Sequence, residues 1–228
     1  ILLNSITSLA LSTAAWLVAR GNKISHSGHT IPMKKHSPHS DFKALPKDSH
    51  TTTQEYITLL IFYFFTASFC GFVWEVFLFF LKEGHFRNRG FLYGPWLPVY
   101  GTGAVLMYLF LFSLRRQPLK VFFYSVLAGT SLELIIGLFL DYFWELRYWD
   151  YSSYPLNFRG YICLYSALGI GIAGAAWVCL LSALLKKLWF LIPEKLRSII
   201  TAILLLLFLF DLAAALIFPN TGCGITFS

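Results

Sequence analysis

The stretch RNRGFLYGPWLPVYGTG, Arg87–Gly103, decides how often this chain can cross a membrane. It joins two apolar segments, and after it only Ala104–Leu114 continues without a glycine or proline. At about 1.5 Å per helical residue, that run is too short for a hydrocarbon core of about 30 Å. The helix must therefore begin near Pro95. Pro95 and Pro98 would then lie in its first turn, where backbone N–H groups have no helical partner.

The same stretch also fits a second arrangement, in which Gly90–Gly103 is an unwound or re-entrant segment. Non-helical backbone survives at membrane depth only where protein covers it or where it lines a cavity. Broken helices of this kind build substrate sites in transporters. In the helical arrangement, by contrast, Gly101 and Gly103 would allow close packing against a neighbouring helix. The residues alone leave both arrangements open.

The composition is that of an integral membrane protein. Hydrophobic residues make up 57% of the 228 residues and charged residues 13%, against roughly 25% charged in soluble domains. The net charge of +7 does not call for a nucleic acid partner, because basic residues gather on cytoplasmic loops and near anionic lipid. The four cysteines form no CxxC pair, so we expect no disulfide framework, metal site or cofactor.

Long apolar segments predict an all-α fold, a polytopic transmembrane helix bundle with five or six spans. Five segments within residues 56–218 are long enough to cross: Tyr56–Leu81, Pro95–Leu114, Val121–Asp141, Tyr161–Leu185 and Ser198–Phe218. Residues 1–19 are apolar but dotted with polar side chains, so they form either a first span or a signal-like segment.

Polar segments flank these spans. Residues 20–55 form a basic linker rich in Ser, His, Lys and Pro without periodicity, which we expect to be flexible and cytoplasmic. Its two HxxH pairs lack fixed geometry and are a weak metal signal. The sequence begins at Ile1, and Met33 followed by two lysines offers an alternative start. Residues 219–228 are expected to form a short external tail.

The distribution of basic residues predicts the orientation of the bundle. Most of the 18 Lys and Arg residues lie in the 20–55 linker and in the turns Arg115–Lys120 and Lys186–Arg197. We therefore expect this side to be cytoplasmic. The loops Lys82–Gly103 and Glu145–Gly160 then lie on the outer face.

Carboxylates inside the spans are the main candidates for function. Glu75, Glu133 and Asp211 lie in the outer parts of their helices, although Asp211 is near enough to its helix end that it could instead face water. Such groups cost about 2.5–3.5 kcal/mol to insert and face a bundle interior or a cavity. The outer loops carry the arginines Arg87, Arg89 and Arg159. These groups predict one polar cluster, which either binds a ligand or ion or clamps the bundle through acid–arginine pairs.

A run of small residues, GIGIAGAA at Gly169–Ala176, predicts contact between helices. Its pairs Gly169/Ala173 and Gly171/Ala175 have the small-xxx-small spacing that lets helices approach closely. The run follows no strand and contains no lysine, so it is not a phosphate-binding loop.

Three strings in a fixed order resemble a known family. They are GFVWEVFLFFLKEGHFRNRGFLYGPWLPVYGTGA, a Leu-Glu pair in the third of the five long spans, and WDYSSYPLNFRGYICL. Over about Tyr56 to Leu185 they resemble the bacterial family of putative ABC-transporter type IV proteins, also called CmpB-like ABC transporter permeases. The motif residues that the resemblance carries over, as substrate or structural positions, are Trp74, Glu75, Asn88, Arg89, Gly90, Tyr93, Gly94, Pro95, Pro98, Tyr100, Gly101, Glu133, Trp149, Asp150, Tyr151, Asn157 and Gly160.

The resemblance implies a multi-pass permease subunit in the bacterial plasma membrane that works with a separate cytoplasmic ATPase. The partners would then be the lipid bilayer and that ATPase; a homo-oligomer is also possible, and the sequence leaves the oligomeric state open. It names no substrate. Two alternatives stay open: a non-transporting membrane scaffold or sensor, and a membrane-embedded enzyme acting on lipid or envelope precursors. The chain shows no catalytic signature and no activated nucleophile to support the enzyme.

Overall fold

The computed structural model describes residues 51–84, 92–147, 149–218 and 226–227. The predicted span at residues 1–19, residues 20–50 of the predicted linker and most of the predicted tail lie outside the described residues, as do Arg87, Asn88, Arg89 and Gly90. The chain divides into two units, Ile1–Ile57 and Thr58–Ser228. Helices dominate the second unit, which contains the three span carboxylates Glu75, Glu133 and Asp211.

The first described helix, α1 (Thr53–Glu83), begins at a capping box. The Glu55 N–H donates to Oγ1 of Thr52 over 3.2 Å, and the Thr52 N–H donates back to Oε2 of Glu55 over 3.0 Å. This exchange satisfies backbone donors that have no partner inside the helix. The sequence TTTQE thus fixes where the first long helix begins.

Four further helical runs follow within the described residues. They are α2 (Pro98–Leu111) with a 3-10 turn (Phe112–Leu114), α3 (Pro118–Trp144), α4 (Leu164–Ala176) continuing through a π-helix (Trp177–Leu181) into α5 (Ser182–Leu191), and α6 (Glu194–Ile217). A two-residue antiparallel pair joins β1 (Leu146–Arg147) to β2 (Thr226–Phe227). Four of the helices are long and apolar enough to cross a membrane, and α2 with its turn is a shorter apolar helix. The all-α prediction is confirmed.

The start of α2 differs from the prediction. Pro98 occupies the first helical position, but Pro95 lies outside the helix, in a non-helical segment from Leu92 to Leu97. The reason is that Leu97, the residue before Pro98, is extended with φ −113° and ψ 99°, because a proline disfavours helical backbone in the residue before it. The Leu97 N–H donates to the Ser68 carbonyl of α1 over 3.1 Å. The unwound arrangement therefore describes residues 92–97, and the helical arrangement describes residues 98 onward.

Close contact between α1 and α2 depends on two glycines. The Tyr100 ring lies over Gly71, where any side chain would collide with it. Gly101 lies against the Ser68 hydroxyl and the Phe64 backbone carbonyl, so a Cβ would not fit there either. Gly103 faces open space, so the predicted packing role is confirmed for Gly101 and wrong for Gly103.

Contact between α3 and α4 likewise uses part of the small-residue run. Gly171 lies against Phe122 and Val126 of α3, and Gly174 lies against Ser125. Gly169 has no neighbour within 4 Å of a built Cβ. The prediction of helix packing is confirmed at Gly171 and wrong at Gly169, because the helix turns its Gly171/Gly174 side towards α3.

The π-helix is held by two hydrogen bonds from aromatic side chains. The Tyr63 hydroxyl on α1 donates to the Ser182 carbonyl over 2.5 Å, and the Trp177 indole donates to the Ala104 carbonyl over 2.8 Å. The Tyr63 ring also meets Trp177 edge-on, with centroids 5.3 Å apart. One of these bonds starts at the first residue of the π-helix and the other ends at the residue directly after it, so the two bonds attach both ends of the π-helix to α2 and α1.

Candidate functional site

Glu75 of α1 binds a tyrosine of α2. Its Oε1 accepts a hydrogen bond from the Tyr100 hydroxyl over 2.5 Å. Gly71 lies four residues earlier on α1, so both residues share one side of that helix. Because Gly71 has no side chain, the Tyr100 ring can lie across α1 and reach Glu75.

Glu133 of α3 binds a tyrosine of the following loop. The Tyr151 hydroxyl donates to Oε1 of Glu133 over 3.2 Å. The other carboxylate oxygen, Oε2, is buried and accepts no hydrogen bond from the described part of the chain. Burial and the negative charge of Glu133 raise the pKa of Tyr151, so this phenol stays protonated and remains a donor.

The two pairs form one site, which we call the glutamate cluster: Glu75, Tyr100, Glu133 and Tyr151. The charges of Glu75 and Glu133 interact electrostatically, and each carboxylate also acts on the tyrosine of the other pair. The cluster thus joins α1, α2, α3 and the loop that follows α3. It brings together four residues that are distant in sequence and that the motif comparison had singled out.

Asp211 of α6 lies elsewhere and accepts three hydrogen bonds. Its Oδ1 accepts from the Tyr93 N–H over 2.9 Å, and its Oδ2 accepts from the Gly94 N–H over 2.9 Å and the Trp96 indole over 2.7 Å. Its side chain is only 8% exposed. The expectations that Asp211 joins the glutamate cluster or faces water are both wrong, because the carboxylate binds the segment before α2.

Within the described residues, Arg147 pairs with an acid, and the sequence analysis had not placed Arg147 in the polar cluster. Arg147 Nη2 lies 2.8 Å from Oδ2 of Asp141, and that hydrogen bond raises the pKa of the guanidinium. The Tyr161 hydroxyl also donates to Asp141, which raises the pKa of Tyr161. Arg159 is exposed in a left-handed conformation with φ 50°. The sequence signal for this pair is the separation of only six residues between Asp141 and Arg147. The left-handed residue Glu145 ends α3 between them and turns the chain back.

The loop motif WDYSSYPLNFRG folds on itself. Asp150 Oδ1 accepts from both the backbone N–H and the hydroxyl of Ser152, at 2.9 and 2.6 Å, and these bonds lower the pKa of Asp150. The indole of Trp149 donates to the Tyr161 carbonyl over 2.8 Å. Tyr151 directly follows these two anchored residues, and its own N–H donates to the Gly160 carbonyl over 2.9 Å, so the loop fixes the backbone from which its phenol reaches Glu133.

The second half of the loop is closed by Asn157 and Gly160. The Asn157 amide donates to the Tyr154 carbonyl over 2.7 Å and accepts from the Gly160 N–H over 3.2 Å. Gly160 has φ 75°, and a side chain there would collide with the carboxylate of Asp150. Asp150, Asn157 and Gly160 therefore build the loop rather than contribute groups to the glutamate cluster.

The remaining motif residues divide between the start of α2 and the surface. Tyr93 and Gly94 supply N–H groups to Asp211, Pro98 starts the helix, and Trp74 is 53% exposed on α1. In the described ranges, no three His, Cys, Asp or Glu side chains gather to hold a metal ion.

Comparison with known proteins gives one match. A family model described as putative ABC-transporter type IV matches residues 62–216. The matched range contains the glutamate cluster, and it extends past the predicted resemblance to include α6 and Asp211. Searches of curated proteins and of solved structures found no match.

Proposed function

The chain belongs to the putative ABC-transporter type IV family, and we propose that it is the membrane-spanning permease subunit of a transporter. In this proposal the glutamate cluster binds a small solute that enters from the outer face. The observation that carries it is the convergence of Glu75 and Glu133 from different helices, each bound by a single tyrosine hydroxyl. The protein is a multi-pass membrane protein, and we place it in the bacterial plasma membrane.

The bonding of the carboxylates favours a binding site over a purely structural clamp. Span carboxylates are costly to insert, and a clamp offsets that cost by pairing them with cations. Among the described outer arginines, Arg147 is paired with Asp141 and Arg159 is exposed. The buried Oε2 of Glu133 keeps free acceptor capacity among the described residues. Donor groups of a solute would use that capacity.

The family description supports a separate ATPase as the partner. Residues 1–228 contain no nucleotide-binding motif, and in this proposal a cytoplasmic subunit supplies ATP hydrolysis. The short basic turns Arg115–Lys120 and Lys186–Arg197 are the surfaces on which we expect it to dock. The family match favours neither the scaffold or sensor nor the enzyme.

Solute binding is tested first on the purified chain in detergent. Melting temperature is measured against a panel of amino acids, sugars, polyamines and inorganic ions, and a stabilising solute is then used in uptake assays. We expect Glu75→Gln and Glu133→Gln each to weaken stabilisation and uptake about tenfold or more, since a hydrogen bond to a charged group contributes about 1.5–3 kcal/mol.

The matched control is Glu194→Gln, which removes an exposed carboxylate at the opposite end of the bundle. It should leave the stabilisation of the purified chain by solute unchanged. Full uptake by both cluster variants would refute the proposed site.

The partner is tested by affinity purification of the intact complex from membranes. We expect an ATPase to co-purify with the wild-type chain. Its absence under gentle detergent conditions would count against the permease assignment and in favour of the scaffold or sensor.

A further inference from the structure

The segment Leu92–Leu97, which we call the gate segment, is held in place by other elements rather than by helical hydrogen bonds. Its Tyr93 and Gly94 N–H groups donate to Asp211 on α6. Its Leu97 N–H donates to the Ser68 carbonyl of α1. Non-helical backbone of this kind needs protein partners at membrane depth, and a few side-chain contacts supply them here.

Asp211 concentrates the attachment at one carboxylate. Both of its oxygens accept hydrogen bonds, and all three donors are neutral groups of the gate segment. The carboxylate is buried and sits on α6, which is separated from the gate segment by more than 100 residues of chain. A single side chain of a distant helix therefore accepts three of the hydrogen bonds that hold the segment in place.

In this position the gate segment covers part of the hydrophobic core between α1 and α6. Leu92 is 1% exposed and packs with Phe65, Phe208 and Ala215. The Trp96 ring meets Phe65 edge-on with centroids 5.8 Å apart. Beside the segment lies an open groove of about 420 Å³, lined by the segment itself and by α6, which leaves room for it to move.

The gate segment is also joined to the glutamate cluster. The Leu97 carbonyl accepts a hydrogen bond from the Tyr100 N–H over 3.1 Å, in the first turn of α2. The hydroxyl of Tyr100 in turn binds Glu75. Displacing the segment would therefore shift the first turn of α2, which carries Tyr100, the hydrogen-bond donor to Glu75.

We propose that Leu92–Leu97 is a movable gate, that Asp211 holds it closed, and that its release admits solute to the glutamate cluster. The proposal rests on the proposed function, because it describes how access to that same site is controlled. Asp211 acts as a positioning residue: it touches the gate and never the solute. Opening requires the loss of the three hydrogen bonds to Asp211, of the bond from the Leu97 N–H to the Ser68 carbonyl and of the bond from the Tyr93 hydroxyl to the Phe218 carbonyl. It also requires the withdrawal of Leu92 from its pocket, and a conformational change of α6 relative to α2 could supply both.

Gate opening is measured by labelling a cysteine at the buried position Leu92. The intact chain carries Leu92→Cys in a background where Cys70, Cys163, Cys179 and Cys223 are replaced by serine. A membrane-impermeant maleimide should label it slowly when Asp211 is present. With Asp211→Asn, the amide NH2 must face at least one N–H donor, so we expect labelling about tenfold faster.

A second variant and a control guard against general unfolding. Trp96→Phe removes one of the three donors and keeps both backbone bonds, so it should give an intermediate labelling rate. Asp141→Asn removes a carboxylate that binds Arg147 instead of the gate, and it should leave the rate at Leu92→Cys unchanged.

The outcome separates the gate from the proposed function. Faster labelling in Asp211→Asn together with a changed uptake rate supports the gate. Unchanged labelling in a protein that remains folded, or faster labelling with unchanged uptake, overturns it. Glu75→Gln is expected to lose solute binding while leaving the Leu92→Cys rate unchanged, so a failure of the glutamate cluster would appear in a different variant from a failure of the gate.

Discussion

At the scale of single residues, the site depends on phenol groups as much as on carboxylates. Glu75 and Glu133 were predicted from their depth in apolar segments, but nothing in the local sequence connects them to Tyr100 and Tyr151. The separations of 25 and 18 residues place each bond across a turn between elements. Only the packing of α1 on α2, and the fold of the loop after α3, determine which tyrosine reaches which acid.

We expect Tyr151→Phe to destabilise the protein, because Oε1 of Glu133 loses its phenol donor while Oε2 of the same carboxylate stays buried. The free energy of unfolding should fall by about 1–3 kcal/mol, which lowers the melting temperature by several degrees in a chain of this size. Thermal unfolding in detergent measures it.

The control is Tyr142→Phe, which removes a hydroxyl from a side chain that is 82% exposed. Its melting temperature should match that of the wild type. Equal losses in the two variants would mean that the Tyr151 bond is not what stabilises Glu133.

At the scale of elements, apolar length predicted the helices well and their starts less well. The Pro98 start was within reach of the sequence, since proline suits the first helical turn. Pro95 fits the same rule, but the extended Leu97 before Pro98 separates it from the helix, and Asp211, which is distant in sequence, binds the residues just before it. The same limit applies to the run Gly169–Ala176: spacing shows that one side is small, but the neighbouring helix decides which side is buried.

The α1–α2 contact provides a matched pair of substitutions on one helix. Gly101→Ala should destabilise the protein by about 1–3 kcal/mol, because its Cβ would overlap the Ser68 hydroxyl and the Phe64 carbonyl. Gly103→Ala faces open space and should be neutral or stabilise by about 0.5–1 kcal/mol, since alanine is the better helix former.

Denaturant-induced unfolding of the two alanine variants measures this difference. If Gly103→Ala were as destabilising as Gly101→Ala, close approach of α1 and α2 at Gly101 would not be the cause.

At the scale of the whole molecule, the sequence predicts orientation through its basic residues. The structure adds that the turns Arg115–Lys120 and Lys186–Arg197 both lie at helix ends, each at the end of a helix whose other end leads to a motif loop. Alternating helix directions then place the glutamate cluster and the basic turns on opposite faces of a membrane. Solute entry and ATPase docking would take place on those separate faces.

Cysteine labelling in intact cells tests this orientation in a background without native cysteines. We expect Asn88→Cys and Ser153→Cys to react with an impermeant maleimide and Gln117→Cys to react only after the membrane is permeabilised. Ser153 and Gln117 are both exposed, so burial would not explain a difference between them. The reverse pattern would invert the topology and place the glutamate cluster on the cytoplasmic side.

The π-helix Trp177–Leu181 has a consequence for how this chain can change in length. Upstream of it, Gly174 must face α3; downstream, Trp189 must lie flat on Phe62, where the ring centroids are 4.4 Å apart. In a regular α-helix, removing one residue would rotate everything after the deletion by about 100°. A π turn holds one residue more than an α turn, so a deletion inside Trp177–Leu181 is absorbed when the turn becomes α-helical, and both contacts stay in phase. We infer that a single-residue deletion is tolerated inside Trp177–Leu181 far more readily than elsewhere between Gly174 and Trp189.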